Sequence, residues 1–232
     1  MNPPIKGVIM RNLKTLKSIV NPFDEKYEVV ESYFNSIKKC LSDAQAYNPR
    51  LSVVRFDIHY PNNNAVQPSD RDIRRFINSL AAQLKCSYSF KQHGKEQYLE
   101  YIWVKEFGKQ SNKFHYHFCL LLNKDDFGFV GSTEPNNGKK TLAYFICEAW
   151  ARTLGVDRKI AKRGVYLGRR PIHWLSKKQP DYEIEYNNVL KRLAYMAKPR
   201  DKVRNGIKGK SFSKGRYSIY TPKRKKWNAD LL

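Results

Sequence analysis

Two runs, "QYLEYIWVKEF" at residues 97–107 and "KFHYHFCLLLN" at 113–123, constrain the fold more than any other feature of the chain. Both are dense in aromatic and branched side chains. The Gly, Lys, Gln, Ser and Asn between them have turn character, so together the runs predict a β-hairpin. Upstream, "LSVVRFDIHYP" alternates with period two: Val54, Phe56 and Ile58 fall on one face of a strand and Arg55, Asp57 and His59 on the other, until Pro61 and an Asn run stop it. That strand has one polar face.

Helical spacing accounts for much of the rest. Val30, Phe34, Ile37 and Leu41 predict an amphipathic helix over 27–46. Ser69 and Asp72 have the spacing of a capping box, and Ile73, Phe76, Ile77, Leu80, Ala81 and Leu84 follow at helical intervals. Thr141 to Leu154 reads as a helix closed by Gly155, and Asp181 to Lys198 as one closed by Pro199, with one or two short strands in "GVYLGRRPIHWL" between them. The order strand, helix, hairpin, helix, strand, helix predicts an α+β domain with helices packed on a mainly antiparallel central sheet. Its expected span is residues 51–200, preceded by an N-terminal helical extension over 1–50 and followed by a basic C-terminal arm over 201–232. No internal repeat or coiled-coil heptad interrupts this order.

Forty-four Lys and Arg against twenty-one Asp and Glu leave a net charge of +23. An excess of this size has no use in folding, repels itself and favours a polyanionic partner, nucleic acid first. A charged surface kept for solubility is the plainer alternative. Residues 198–226 hold twelve Lys or Arg and one acid, Asp201, with Phe212, Tyr217 and Tyr220 interleaved. Cys40, Cys86, Cys119 and Cys147 form no C-x-x-C pair, which argues against a zinc knuckle or redox dithiol and for reduced thiols in the cytosol. Lys and Arg break up the apolar residues of the N-terminus, and no later stretch approaches the ~20 apolar residues of a membrane span. The expectation is a cytoplasmic protein with no membrane partner.

The hairpin carries an anomaly. His115 and His117 stand two apart on a strand that is otherwise apolar, so both imidazoles point to one face. Chance gives about 0.1 H-x-H matches in such a chain, which makes the pair informative without deciding between metal ligands and satisfied structural histidines. Two ligands are too few for a metal centre. Glu106 supplies a third if it lies across from His115, and a register slip of one residue would send it to the other face. Asp57 and His59, on the polar face of their own strand, are reserve ligands. Two imidazoles and one carboxylate with open positions suit Mg²⁺ or Mn²⁺ beside a phosphate.

Phosphate chemistry then calls for a nucleophile. Tyr-x-x-Lys occurs at Tyr88, Tyr195 and Tyr220. Tyr220 sits beside Pro222 in the basic arm, and Tyr88 follows the end of its helix. In "YNNVLKRLAYMAKP", Tyr186, Val189, Leu193 and Ala197 share one helical arc, whereas Tyr195 and Lys198 fall on the other side with Asn188 and Lys191. Tyr195 is thus either a functional phenol or an exposed tyrosine near a solvated lysine. The phenol becomes a nucleophile only where a metal, a base or a cation stabilises its phenolate, and Lys198 is the candidate cation.

His115-Tyr116-His117 before an apolar strand, with Tyr195-Met196-Ala197-Lys198 on a later helix, resembles the HUH endonucleases, single-stranded DNA nickases that initiate rolling-circle replication. More narrowly, "VVRFDIHYP", "YIWVKEFGKQSNKFHYHFCLLLN" and "LAYMAK" look like the inovirus gene-two-like family, also named for the YagK and YfjJ C-terminal domain, of phages, prophages and satellites. The likeness spans residues 51 to about 215. It implies a replication initiator nuclease fold and a divalent ion, Mg²⁺ or Mn²⁺, held by His115, His117 and Glu106. It also implies a Tyr195 nucleophile that leaves a 5′-phosphotyrosyl link and a free 3′-OH, with Lys198 beside it as acid or electrostatic clamp. The middle residue of the triplet is usually aliphatic in that family; here it is Tyr116, expected to face away from the metal. One tyrosine rather than two suggests the single-tyrosine branch, although Tyr182 and Tyr186 lie on the same helix.

The implied partner is single-stranded or hairpin DNA at a replication origin in a bacterial host's cytoplasm, with a host helicase or other replication proteins as further candidates. Arg158, Lys159, Lys162, Arg163, Arg169, Arg170, Lys191, Lys208 and Lys210 are the expected backbone contacts, and Trp174 the expected base-stacking surface. Rival readings are a catalytically silent DNA-binding regulator of the same fold, a single-tyrosine transposase, and a basic RNA-binding protein in which the constellation is coincidence.

Overall fold

The computed structural model describes residues 17–61, 66–87, 96–108, 113–135, 137–199 and 211–221. A small antiparallel ladder of Ser18–Val20 (β1) and Glu28–Val30 (β2) leads into helix Glu31–Tyr47 (α1). The helix thus starts later than its apolar spacing predicts, because the β-branched pair Val29 and Val30 is taken up in pairing with β1. Next come Arg50–His59 (β3), Asp72–Ser87 (α2), Gln97–Gly108 (β4) and Lys113–Asn123 (β5). Leu142–Leu154 (α3) and Arg158–Lys162 (α4) follow, then Val165–Tyr166 (β6), Ile172–Ser176 (β7) and Tyr182–Ala194 (α5), a 3₁₀ turn over Tyr195–Ala197, and Phe212–Tyr220 (β8).

The fold is α+β, built on a six-stranded antiparallel sheet in the order β6, β3, β5, β4, β8. β7 pairs with β3 on the same side as β6, so the two short strands share one edge. The predicted hairpin is β4 and β5, whose turn at 109–112 lies outside the described residues, as do the Asn run after Pro61 and Tyr88. Phe212–Tyr220, in the run read as a basic arm, is instead the edge strand β8. Its Lys214 and Arg216 share a face with Phe212, while Tyr217 and Ile219 lie near or in the core on the other side. Charged side chains on an edge strand deter pairing with other chains without spoiling the strand.

Period-two alternation gives the sheet two apolar faces. On one, Val54, Phe56, Ile58, Tyr116, Phe118 and Leu120 pack with the buried sides of α2 and α3; the stacked rings of Phe56 and Phe118 lie 5.3 Å apart, and Trp150 of α3 is fully buried. On the other, Leu51, Val53, Ile102, Val104, Cys119 and Leu121 meet Phe34, Ile37 and Leu41 of α1 and Val189, Leu190 and Leu193 of α5. The result is three layers. α1, placed by the sequence in an N-terminal extension, covers the same sheet face as α5. The α3 ends follow their residues: Thr141 accepts the N–H of Tyr144, and Gly155 takes the left-handed conformation with φ 66°.

Candidate metal centre

The second face of the sheet turns polar toward one end. The registers Glu106↔His115, Val104↔His117, Asp57↔His117 and His59↔His115 put Glu106, His115, His117, Asp57 and His59 on that face, on three neighbouring strands. The pairing of Glu106 with His115 is the one the sequence required. Tyr116, pointing the other way, is buried in the opposite core.

Glu106, His115 and His117 can each offer one ligand atom, all within 4.8 Å of one another. The Glu106 Oε2 atom lies 3.1 Å from His117 Nε2 and 3.8 Å from His115 Nε2. Donors bound at about 2.1 Å to one ion stand no more than about 4.2 Å apart, so small side-chain rotations close the set. A carboxylate behind His117 strengthens the fit: Asp57 Oδ1 sits 2.6 Å from Nδ1, which fixes the ring and leaves Nε2 turned toward Glu106. Asp57, a reserve ligand by sequence, therefore orients a candidate ligand, His117. His59, the other reserve, stacks face to face on His115 with ring centroids 4.8 Å apart.

The electrostatics agree with a cation site. Burial, then the neighbouring His117 and His59, push His115 down to about 4, leaving its lone pair free near neutrality. Burial also lowers His59. Burial opposes the charged forms of His117 and Asp57, yet their mutual hydrogen bond and charges prevail, so His117 is raised and Asp57 lowered. A cation at Nε2 would displace a proton on the Glu106 side of the ring and leave the Nδ1 hydrogen bond to Asp57 in place.

Tyr195 reaches this cluster. Its ring meets that of His117 edge to face at 6.0 Å and Tyr27 at 6.4 Å, and it remains 44% exposed. The arrangement reconciles an outward-facing tyrosine with a site on the sheet. α5 packs its apolar arc on the sheet, and its 3₁₀ end buries Met196 and Ala197 while Tyr195 overhangs the polar end. Lys198 Nζ stands 5.5 Å from the Tyr195 ring centroid and 4.5 Å from that of Tyr27. Arg55, which the sequence put on the polar face without a role, lies 5.5 Å from the Tyr195 ring and 3.5 Å from His117 Nδ1.

The basic residues are not equally placed. Arg158 and Lys162 are both held by Glu134, at 2.6 and 3.0 Å, while Lys159 on the same short helix and Arg163 just after it are exposed. α4 still borders the site, since Gly164 accepts the His59 N–H at 2.8 Å and a Cβ on Gly164 would come within 2.3 Å of the His59 carbonyl oxygen. Arg169, Arg170 and Lys191 are exposed, and Lys208 and Lys210 lie outside the described residues. Trp174 does not join the centre. It pairs with Ser52, roughly 17 Å along β3 from Asp57, where it meets exposed Phe129 edge to face and lies under Lys124. No helix among the described residues is long and apolar enough to cross a membrane.

The chain is 29% identical to the uncharacterized protein YfjJ of Escherichia coli (strain K12) over 188 residues, 75% of this chain and 89% of that protein. It is 31% identical to the uncharacterized protein YagK of the same organism over 183 residues, 74% of this chain and 86% of the relative. No solved structure matches it. Residues 14–215 match the YagK/YfjJ C-terminal domain, a span that takes in the sheet up to the first residues of β8, both helical layers and the histidine centre, and the chain belongs to that family.

Proposed function

We propose that this protein is an HUH-type endonuclease that nicks and rejoins single-stranded or hairpin DNA at the replication origin of a phage, prophage or satellite in a bacterial cytoplasm. The observation that carries this reading is the edge-to-face contact of Tyr195 with His117, which puts a phenol with Lys198 as its neighbour beside a two-histidine, one-carboxylate donor set. The net charge of +23 supports a polyanionic substrate.

An ion such as Mg²⁺ or Mn²⁺ held by His115, His117 and Glu106 would polarise a phosphoryl oxygen and offset charge there. The side chains supply the rest. Asp57 keeps His117 in register, and Tyr195 presents its oxygen to phosphorus. As the Tyr195 O–P bond forms, the phenol gives up its proton and the P–O3′ bond breaks; the departing 3′ oxygen takes up a proton. A 5′-phosphotyrosyl link and a 3′-OH result, with no water consumed, so the reverse step rejoins the strand. Arg55 and Lys198 carry positive charge over the ring, where the phenolic oxygen passes its electrons to phosphorus.

The test is to incubate the full chain with Mn²⁺ and single-stranded DNA carrying a candidate origin and look for a protein–DNA species that survives denaturant. Wild type should form it and Tyr195→Phe should not, while His115→Ala and His117→Ala lose most cleavage. Adduct from the phenylalanine variant would displace Tyr195 as nucleophile. Tight DNA binding with no adduct on any origin substrate would favour a silent regulator of the same fold.

A further inference from the structure

A group of basic side chains adjoins the triad on the same sheet face, where β3, β7 and α5 meet. Arg55 extends from β3, His173 from β7 and Arg192 from α5. Arg170 lies on the loop into β7, close enough to act electrostatically on both His173 and Arg192. The loop before β7 is fixed to β3, since Pro171 accepts the Arg55 N–H at 2.8 Å. Gly168 lies over Arg192, its Cβ position 3.7 Å from Nη2.

Four nitrogens in this group are buried without a hydrogen-bond partner among the described residues: Nε of Arg55, Nε of Arg192, and both ring nitrogens of His173. The acidic groups nearby do not serve them. Asp57 is committed to His117 at 2.6 Å and meets Arg55 only at 3.7 Å, and Glu185 stops 3.6 Å from His173 Nδ1. Leaving a buried guanidinium N–H unpaired is costly, and opposing two guanidiniums adds repulsion. Burial first and then Arg55 lower Arg192, the direction expected of guanidiniums crowded away from solvent. Cations retained under those conditions fit an anion that accepts several N–H bonds at once, and guanidinium forks suit the oxygens of a phosphate.

We infer that Arg55, Arg192 and Arg170 form a phosphate subsite for the DNA strand lying on the triad, holding the backbone phosphate next to the one that is attacked. Arg55 ties the two positions together, because its guanidinium also reaches His117 and the Tyr195 ring. On the sheet, Arg55 is two residues from Asp57, about 7 Å, close enough for the neighbouring phosphate of one strand. The choice of ligand rests on the nicking reading; the existence of an anion site does not. Arg192 and Arg170 are positioning residues here and touch no reacting atom.

Both arms of the test use the full-length Tyr195→Phe protein in EDTA, without metal or phenol. In the first, thermal unfolding is compared in inorganic phosphate and in chloride at equal ionic strength. Phosphate should raise Tm by about 2–4 °C over chloride, and Arg192→Met should lose that increment while melting no lower in chloride, since it removes one of the opposed guanidiniums. Arg170→Met, at the exposed rim, must cut the increment as well, which covers the case in which Arg192→Met fails to fold. In the second arm, oligo(dT) binding is measured against salt. The log–log slope should fall in magnitude by about 0.7 for each phosphate contact that Arg192→Met removes. Equal Tm in the two salts, or a full increment in both variants, overturns the subsite. A lost increment with an unchanged oligo(dT) slope overturns the backbone assignment and leaves free phosphate as the ligand. Failure of DNA nicking alters neither arm.

Discussion

At the scale of single residues, the centre divides into what a strand's periodicity discloses and what it conceals. His115, His117 and Glu106 were legible because side chains alternate and because one register of a hairpin joins all three. Arg55, Asp57 and His59 were visible as a polar face, but their separate parts were not. The difference between a ligand and the carboxylate behind it is the depth of one imidazole, and only packing settles that. Arg192 and His173 left no pattern at all, one being a basic residue on a charged helix and the other a single histidine. The Asp57–His117 contact predicts that Asp57→Ala weakens Mn²⁺ binding about 10–100-fold in a calorimetric titration, whereas His117→Ala abolishes it. Undiminished affinity in Asp57→Ala would remove the orienting role. Gly164→Ala must push a methyl against the His59 carbonyl and should cost about 1–3 kcal/mol in denaturant unfolding; an unchanged midpoint would contradict the close approach.

At the scale of elements, the long periodic segments are legible in the sequence: β3, α2, the β4–β5 hairpin, α3 and α5 all carry an apolar face long enough to declare its period. β1 and β2 have three residues each, too few to show one. β8 was concealed by its composition, since an edge strand with one open side tolerates the lysine and arginine that suggest an arm. The α3 cap was legible to the residue, and Thr141→Ala should lower stability by about 1 kcal/mol through the Tyr144 N–H left unpaired. α4 is fastened to the 131–135 loop by Glu134, whose carboxyl is brought from 4.5 down to about 2 by hydrogen bonds from Arg158 and Lys162. A depressed carboxyl stabilises the fold above its unfolded value. The contribution should therefore be present above about pH 4.5 and fade as pH falls toward about 2, and it should be small in salt because the group is exposed. In Glu134→Gln that acid-side loss should flatten in a Tm-against-pH series; an unaltered series would assign no stabilising role to the pair.

At the scale of the whole molecule, two apolar cores on one sheet leave the polar end of a single face open, and under the proposed function the positive charge would gather nucleic acid toward it. α1 and α5 wall that face, which makes the N-terminal residues part of the site's surroundings: Tyr27 touches Tyr195, and Lys198 reaches both rings. The sequence showed the charge but not its distribution. Two of the basic residues it nominated are spent on Glu134, and Trp174 belongs to the far end of β3. DNA binding should accordingly be steeply salt-dependent, yet respond more to Arg170→Met than to Trp174→Ala in fluorescence anisotropy. The proposed nicking reaction is tested most directly by which atom, if any, becomes joined to DNA. Wild-type protein is reacted with Mn²⁺ and an origin-bearing single strand, digested, and the peptide bearing a residual nucleotide is sequenced by mass spectrometry. The account predicts a 5′-phosphate on the Tyr195 oxygen; the nucleotide on any other residue would contradict it.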